Sequence, residues 1–193
     1  MRNFIAAAAL IALAACQQQA PPPTAAAVSS GPGCAKSATH QVTFSDANAP
    51  DTVTARAEGR TCAQAAIVLT ITAANGDTLW AYADTYAVLQ GGGVAPSQMP
   101  PEIANRMDQF LTDWANVTVK STRDLPPWTA GAATLTDAVQ GMSYSTPFDR
   151  ETYERLRGQN LPDLCFTSGA ESSTCIIMDP ASHQPSLMVS FGA

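Results

Sequence analysis

The stretch AIVLTITAANGDTLWAYADTY, residues 66–86, decides the fold. Two runs rich in β-branched and aromatic residues flank Asn75-Gly76, the dipeptide that best tolerates the positive φ of a two-residue turn, so the spacing predicts a β-hairpin. With a type I′ turn the register follows. Ala74 faces Asp77, Ile71 faces Trp80 and Leu69 faces Tyr82, while Val68, Thr70, Leu79 and Ala81 share the other side. Apolar residues on both sides place this hairpin centrally in a sheet. Just upstream, DTVTARAEG (residues 51–59) alternates Val53, Ala55 and Ala57 with Thr52, Thr54 and Arg56, the period of an adjoining half-exposed strand.

Downstream the period changes. In MPPEIANRMDQFLTDWANV (residues 99–117), Ile103, Met107, Phe110, Leu111 and Trp114 recur at helical spacing and Pro101 suits a first turn. This predicts an amphipathic helix whose apolar stripe packs on the protein's own sheet. FDRETYERLRG (residues 148–158) predicts a second, shorter helix, with Asp149 as cap, Phe148 stapled against Tyr153, Gly158 as the stop and Glu151–Arg155 as an exposed ion pair. Then LCFT, TCIIM and LMVSF, separated by turn-forming SGAESS and DPASHQP, read as a small antiparallel meander. Strands, helices and strands without β-α-β alternation predict an α+β class: an antiparallel β-sheet with two amphipathic helices in one compact, disulfide-clasped domain over residues 34–193.

The amino-terminal end is of another kind. MRNF supplies one positive charge, Arg2, and IAAAALIALAA (residues 5–15) is apolar but too short to span a bilayer, the pattern of an export signal over residues 1–15. At Cys16 the chain turns to QQQAPPPTAAAVSSGPG (residues 17–33), which has neither charge nor hydrophobic period and suits an extended, disordered tether. Leu13, Ala14, Ala15 and Cys16 resemble the lipobox of bacterial lipoproteins. The resemblance implies a diacylglyceryl group on the Cys16 thiol, cleavage before Cys16 and acylation of the freed amine, so that residues 16–33 become a lipidated cysteine and its tether. Several acyl chains on one residue hold a protein stably on a membrane where one is marginal. Gln17 is not the aspartate that the lipoprotein class associates with inner-membrane retention, which implies the outer membrane, facing the periplasm.

Of five cysteines, Cys16 set aside, Cys34, Cys62, Cys165 and Cys175 remain for an oxidising compartment. They can pair in three ways. The expected pairs are Cys34–Cys62, tying the start of the domain to its first strands, and Cys165–Cys175, at the ends of a hairpin. No C-x-x-C occurs and His40 and His183 stand apart, so neither a metal nor any other cofactor is expected.

Loss of Arg2 with the signal takes the formal charge from −6 to −7, which argues against nucleic acid and against adhesion to anionic lipid. Catalytic patterns are incomplete. QGMSYST around Ser143 lacks the second glycine of a nucleophile elbow. DANAPD (residues 46–51) lacks the glycine and terminal glutamate of an EF-hand, and the glycines at 91–93 precede no P-loop Lys-Ser/Thr pair. Asp108 and Asp113 fall on different helix faces. With no catalytic residue assigned, the expectation is a membrane-anchored envelope lipoprotein with a non-enzymatic binding, assembly or inhibitor role toward an unidentified envelope protein. The alternative is a small periplasmic hydrolase that gathers His40 or His183 with a serine and acids such as Asp46 or Asp51 from distant parts of the chain.

Overall fold

The computed structural model describes residues 33–91, 94–135 and 142–192. The expected export signal, Cys16 and the expected tether up to residue 32 lie outside the described residues, as do residues 92–93 of the glycine run and residues 140–141 ahead of Ser143.

Four antiparallel strands form the first sheet in the order β1-β2-β3-β4: β1 Cys34–Asp46, β2 Ala49–Gly59, β3 Ala66–Thr72 and β4 Thr78–Thr85. Val53, Ala55 and Ala57 of β2 and Ile67, Leu69 and Ile71 of β3 are all fully buried on one side, as their alternation requires. The strand β1 has no counterpart in the sequence reading. Its core-side positions include Lys36, Ala38 and His40, so the apolar period that announces a strand is missing until Val42 and Phe44. A bulge between Val42 and Asp46 leaves the amides of Phe44 and Ser45 without ladder partners, and the buried Asp51 carboxylate accepts from both, at 3.0 and 2.7 Å, and from the Ser45 hydroxyl at 2.6 Å.

The hairpin pairs Ile71 with Trp80 and Leu69 with Tyr82 as expected, but through a different turn. Only Gly76 has positive φ, +94°; Asn75 does not, so the type I′ turn is overturned. The Gly76 amide donates to Ala73 O at 2.9 Å and the Ala73 amide to Asp77 O at 2.8 Å, giving a three-residue loop closed by Ala73 and Asp77 rather than Ala74 and Asp77. That shifts the register by one residue, and a bulge between Ile71 and Thr72 shifts it back. The strand β3 is central while β4 is an edge.

Four helices follow or interleave. α1 (Tyr86–Gly91) buries Tyr86, Ala87 and Leu89 where the sequence reading continued a strand. The long amphipathic segment divides into α2 (Pro101–Ala104) and α3 (Met107–Ala115), because the Arg106 amide tightens onto Ile103 O at 3.0 Å. Met107, Phe110, Leu111 and Trp114 are buried, and α3 lies across β1 and β2. In α4 (Arg150–Gly158) the Asp149 carboxylate accepts from the Thr152 amide at 2.7 Å, the expected cap. Two expectations fail there. Asn160, at φ 57°, provides the left-handed stop rather than Gly158, and Glu154 pairs with Arg157 whereas no Glu151–Arg155 pair forms among the described residues.

The second sheet has the order β5-β7-β8-β9-β6, with β5 Thr118–Ser121, β6 Ser143–Ser145, β7 Pro162–Gly169, β8 Ser172–Asp179 and β9 Gln184–Gly192. The predicted meander is its centre. Both disulfides are the expected ones: Cys165 and Cys175 sit directly opposite on β7 and β8, and Cys34 at the start of β1 joins Cys62 in the turn after β2. Leu164, Phe166 and Ile176 face the core shared with the first sheet, α1 and α3, while Cys175, Ile177 and Val189 face a second cluster under α4 with Tyr153 and Leu156. The class is α+β as expected, with the antiparallel strands divided between two sheets.

The loop assignment predicts opposite outcomes at its two central residues. Gly76→Val should cost about 1–3 kcal/mol, because a β-branched residue is forced to positive φ. Asn75→Ala should cost no more than its two exposed hydrogen bonds, the one it accepts from the Asp77 amide and the one its Nδ2 donates to the Asp77 carboxylate, together about 1 kcal/mol. Denaturant titration of both variants checks this, and a larger penalty at 75 than at 76 would restore the type I′ turn.

Candidate functional site

His40 is exposed on β1 and His183 is exposed in the β8–β9 turn at φ 55°. Among the described residues neither imidazole makes a hydrogen bond or an ion pair. Asp51 is spent on the β1 bulge, and Asp46 accepts from the Asn48 amide at 2.8 Å within its own turn. Asp108 pairs with Lys36, and Asp113 accepts from Gln109 at 2.8 Å. Of the residues nominated for hydrolysis, Asp51 accepts from the Ser45 hydroxyl, and no hydrogen bond joins either imidazole to an acid among the described residues.

A cleft of about 510 Å³ lies between Trp128, Leu135, Tyr144, Phe148 and the start of α4. Three of its polar groups are engaged: Trp128 Nε1 donates to Ala132 O at 3.0 Å, Thr146 Oγ1 donates to Met188 O at 2.7 Å, and Asp149 caps α4. Thr134, Ser145 and Arg150 also line it, but no catalytic pairing is gathered there among the described residues.

Two other features stand out. The first is the side of the four-stranded sheet turned away from the core. Its rows run Thr39–Thr54–Thr70–Ala81 and Ser37–Arg56–Val68–Ala83, flanked by Gln41, Thr52 and Thr72, and none of these side chains is buried. No helix or strand covers this face among the described residues. Arg56 and Glu58 are its only charges in a strongly acidic protein.

The second is Asp163. Strand alternation puts it on the same side of β7 as Cys165, and it is 1% exposed. Its Oδ2 lies 3.5 Å from the Cys165 sulfur and its Oδ1 has no hydrogen-bond partner among the described residues. Carboxyl and both sulfurs fall within 4.8 Å of one another. A disulfide sulfur carries no proton, so only the protonated carboxyl can hydrogen-bond to it. Burial pushes the carboxyl up to about 6; the Asp124 carboxylate adds to the rise, and Lys120, opposite Asp163 on β5, opposes it. Cys175 is wholly buried, whereas Cys165 is half-buried and lines a cleft of about 300 Å³ with Asn116, Thr118, Lys120, Ser173 and Phe191. The trio does not form a metal centre while its sulfurs are bonded to each other.

The sequence reading missed Asp163 by beginning its strand at Leu164. Extending the alternation two residues back from Cys165 would have put a carboxyl on an apolar side. Comparison with known protein families, with characterised proteins and with solved structures finds no match to this chain.

The buried acid makes stability depend on pH in a definite direction. An unfolded aspartate titrates at about 3.9. Between there and about 6 the folded chain keeps a proton that the unfolded chain has released. The stabilisation tied to that proton is therefore full below about 4 and is lost as pH rises through about 6. Asp163→Asn should remove this slope and raise stability at pH 7 by about 1–2 kcal/mol, screening allowed for. Chemical denaturation of both proteins from acid to neutral pH measures it; parallel curves would mean that Asp163 titrates normally.

Proposed function

We propose that the chain is a lipid-anchored envelope protein whose folded domain binds a partner protein instead of turning over a substrate. The observation that carries the binding role is the uncovered threonine-rich face of the four-stranded sheet. Side chains such as Thr39, Thr54 and Thr70 have few rotamers to lose on contact; the Thr39 and Thr54 hydroxyls can both donate and accept, while that of Thr70 donates to Thr54 O at 3.5 Å and keeps its acceptor capacity. A nearly uncharged face also spares a partner the repulsion that the rest of this acidic surface would exert on an acidic protein. Support for the anchor comes from Leu13, Ala14, Ala15 and Cys16, with an uncharged segment between Cys16 and the domain. By the same likeness, the place of action is the periplasmic side of the outer membrane.

Two measurements test the two halves separately. Cys16→Ser should move the protein from the membrane to the soluble fraction, or leave it unprocessed, and abolish labelling by a palmitate analogue; unchanged partition and labelling reject the anchor. A photo-crosslinking residue placed at Thr54 or Thr70 should give, in intact cells, a product of fixed mass that Thr39→Lys abolishes and that the same residue at Glu151 on α4 does not yield. Equal products from the sheet face and from α4 reject the binding face.

A further inference from the structure

A buried carboxyl oxygen without a partner costs a fold free energy, and Asp163, whose Oδ1 has none among the described residues, is buried beside a disulfide that would clasp β7 to β8 without it. We propose that Cys165–Cys175 is a thiol–disulfide exchange site for a dithiol partner, with Asp163 as its internal proton donor and acceptor. The two sulfurs differ in access. An incoming thiolate meets Cys165, which is half-buried and lines the cleft beside Lys120, and not Cys175, which is fully buried. The ammonium of Lys120 favours a negatively charged nucleophile there.

The exchange balances without any further oxidant or reductant. The thiolate of the dithiol forms a bond to Cys165 Sγ, the Cys165–Cys175 bond breaks, and the electron pair leaves on Cys175 Sγ. The carboxyl of Asp163 transfers its proton to that thiolate, leaving Cys175 as a thiol and Asp163 as a carboxylate. The second thiol of the partner, deprotonated to water, then attacks its own sulfur in the mixed disulfide and releases Cys165 as a thiolate. Cys165 and Asp163 each recover a proton from solvent. The partner ends as a disulfide and this chain as a dithiol; the reverse sequence re-forms the bond, with the Asp163 carboxylate taking the Cys175 proton. A carboxyl held near neutrality serves both directions. The groups facing it are Asp124, Lys120 on β5 and Tyr153 on α4. No comparable carboxyl accompanies Cys34 and Cys62 among the described residues, so that disulfide is an internal control.

The test uses the full-length protein in detergent, exposed to dithiothreitol without denaturant, quenched in acid, alkylated and peptide-mapped. Cys165 and Cys175 should become alkylated while Cys34–Cys62 stays intact and the near-ultraviolet circular dichroism stays native. Asp163→Asn should slow this opening by about tenfold or more and should lose the component of the rate's pH dependence centred near 6, and Asp163→Glu should restore part of both. A carboxyl that only fills space would leave the pH profile unchanged. The proposal is overturned if the two disulfides open together and only on unfolding, or if Asp163→Asn reacts at the wild-type rate with the wild-type profile.

Discussion

Three aromatic rings make one body of two sheets that share no hydrogen-bonded strand pair. Tyr82 on β4, Trp114 on α3 and Phe166 on β7 meet with centroids 6.3 Å apart for Tyr82–Trp114 and 5.2 Å for Tyr82–Phe166. Each polar tip then finds a carbonyl on the same stretch of β7: Trp114 Nε1 donates to Thr167 O at 2.9 Å and the Tyr82 hydroxyl to Ser168 O at 2.8 Å. The consequence shows in Tyr82 itself, whose hydroxyl is pushed up to about 12 by burial and by the Asp84 carboxylate beside it. Packing and hydrogen bonding thus fix the same contact, and the position of β7, with Asp163 and Cys165 on its far side, follows from it.

The junction was half legible in the sequence. Tyr82 was read as a core-facing residue from its pairing with Leu69, and Trp114 from its place on a helical stripe. Their meeting through Phe166 joins segments far apart in the chain, which no local period encodes. The hairpin shows the complementary case, in which a wrong turn gave the right pairing. The loop at Gly76 holds one residue more than a type I′ turn, and the bulge next to Ile71 absorbs it. Burying Ile71 and Trp80 on one side fixes their register more strongly than the turn does, because a one-residue slip would turn Ile67, Leu69 and Ile71 out of the core. Pattern outranks turn chemistry here. The edge strand β1 was missed because its core-side Lys36 and His40 break that pattern.

Asp51 and Asp163 are both buried aspartates, yet they do different work. Asp51 accepts three hydrogen bonds from Phe44 and Ser45, which replaces the ladder that the β1 bulge removes, so its carboxyl oxygens are satisfied by the protein itself. Asp163 receives no such set of donors and answers by holding its proton to higher pH, up to about 6. The sequence marks both only as acids close to strand residues. What separates them is the location of unsatisfied amides, a property of a bulge and not of a residue type. An isosteric neutral residue at 163 would spare the fold a buried unpaired oxygen's charge, so the acid is a departure from what stability alone requires.

The placement of the other disulfide has a mechanical logic that depends on where the chain enters the fold. β1 is an edge strand held to the first sheet by β2 alone, and its first residue, Cys34, is where load from the proposed anchor at Cys16 reaches the domain. Pull applied at the end of an edge strand breaks its ladder one pair at a time, the least resistant geometry for a sheet. The Cys34–Cys62 bond removes that route, because Cys62 lies beyond β2 in the turn that leads to β3, the interior strand. Tension therefore passes from Cys34 into the middle of the sheet without loading the Cys34–Gly59 pair first. The threonine-rich face spans these same strands, so the clasp that resists peeling also holds together the surface on which the proposed partner would pull.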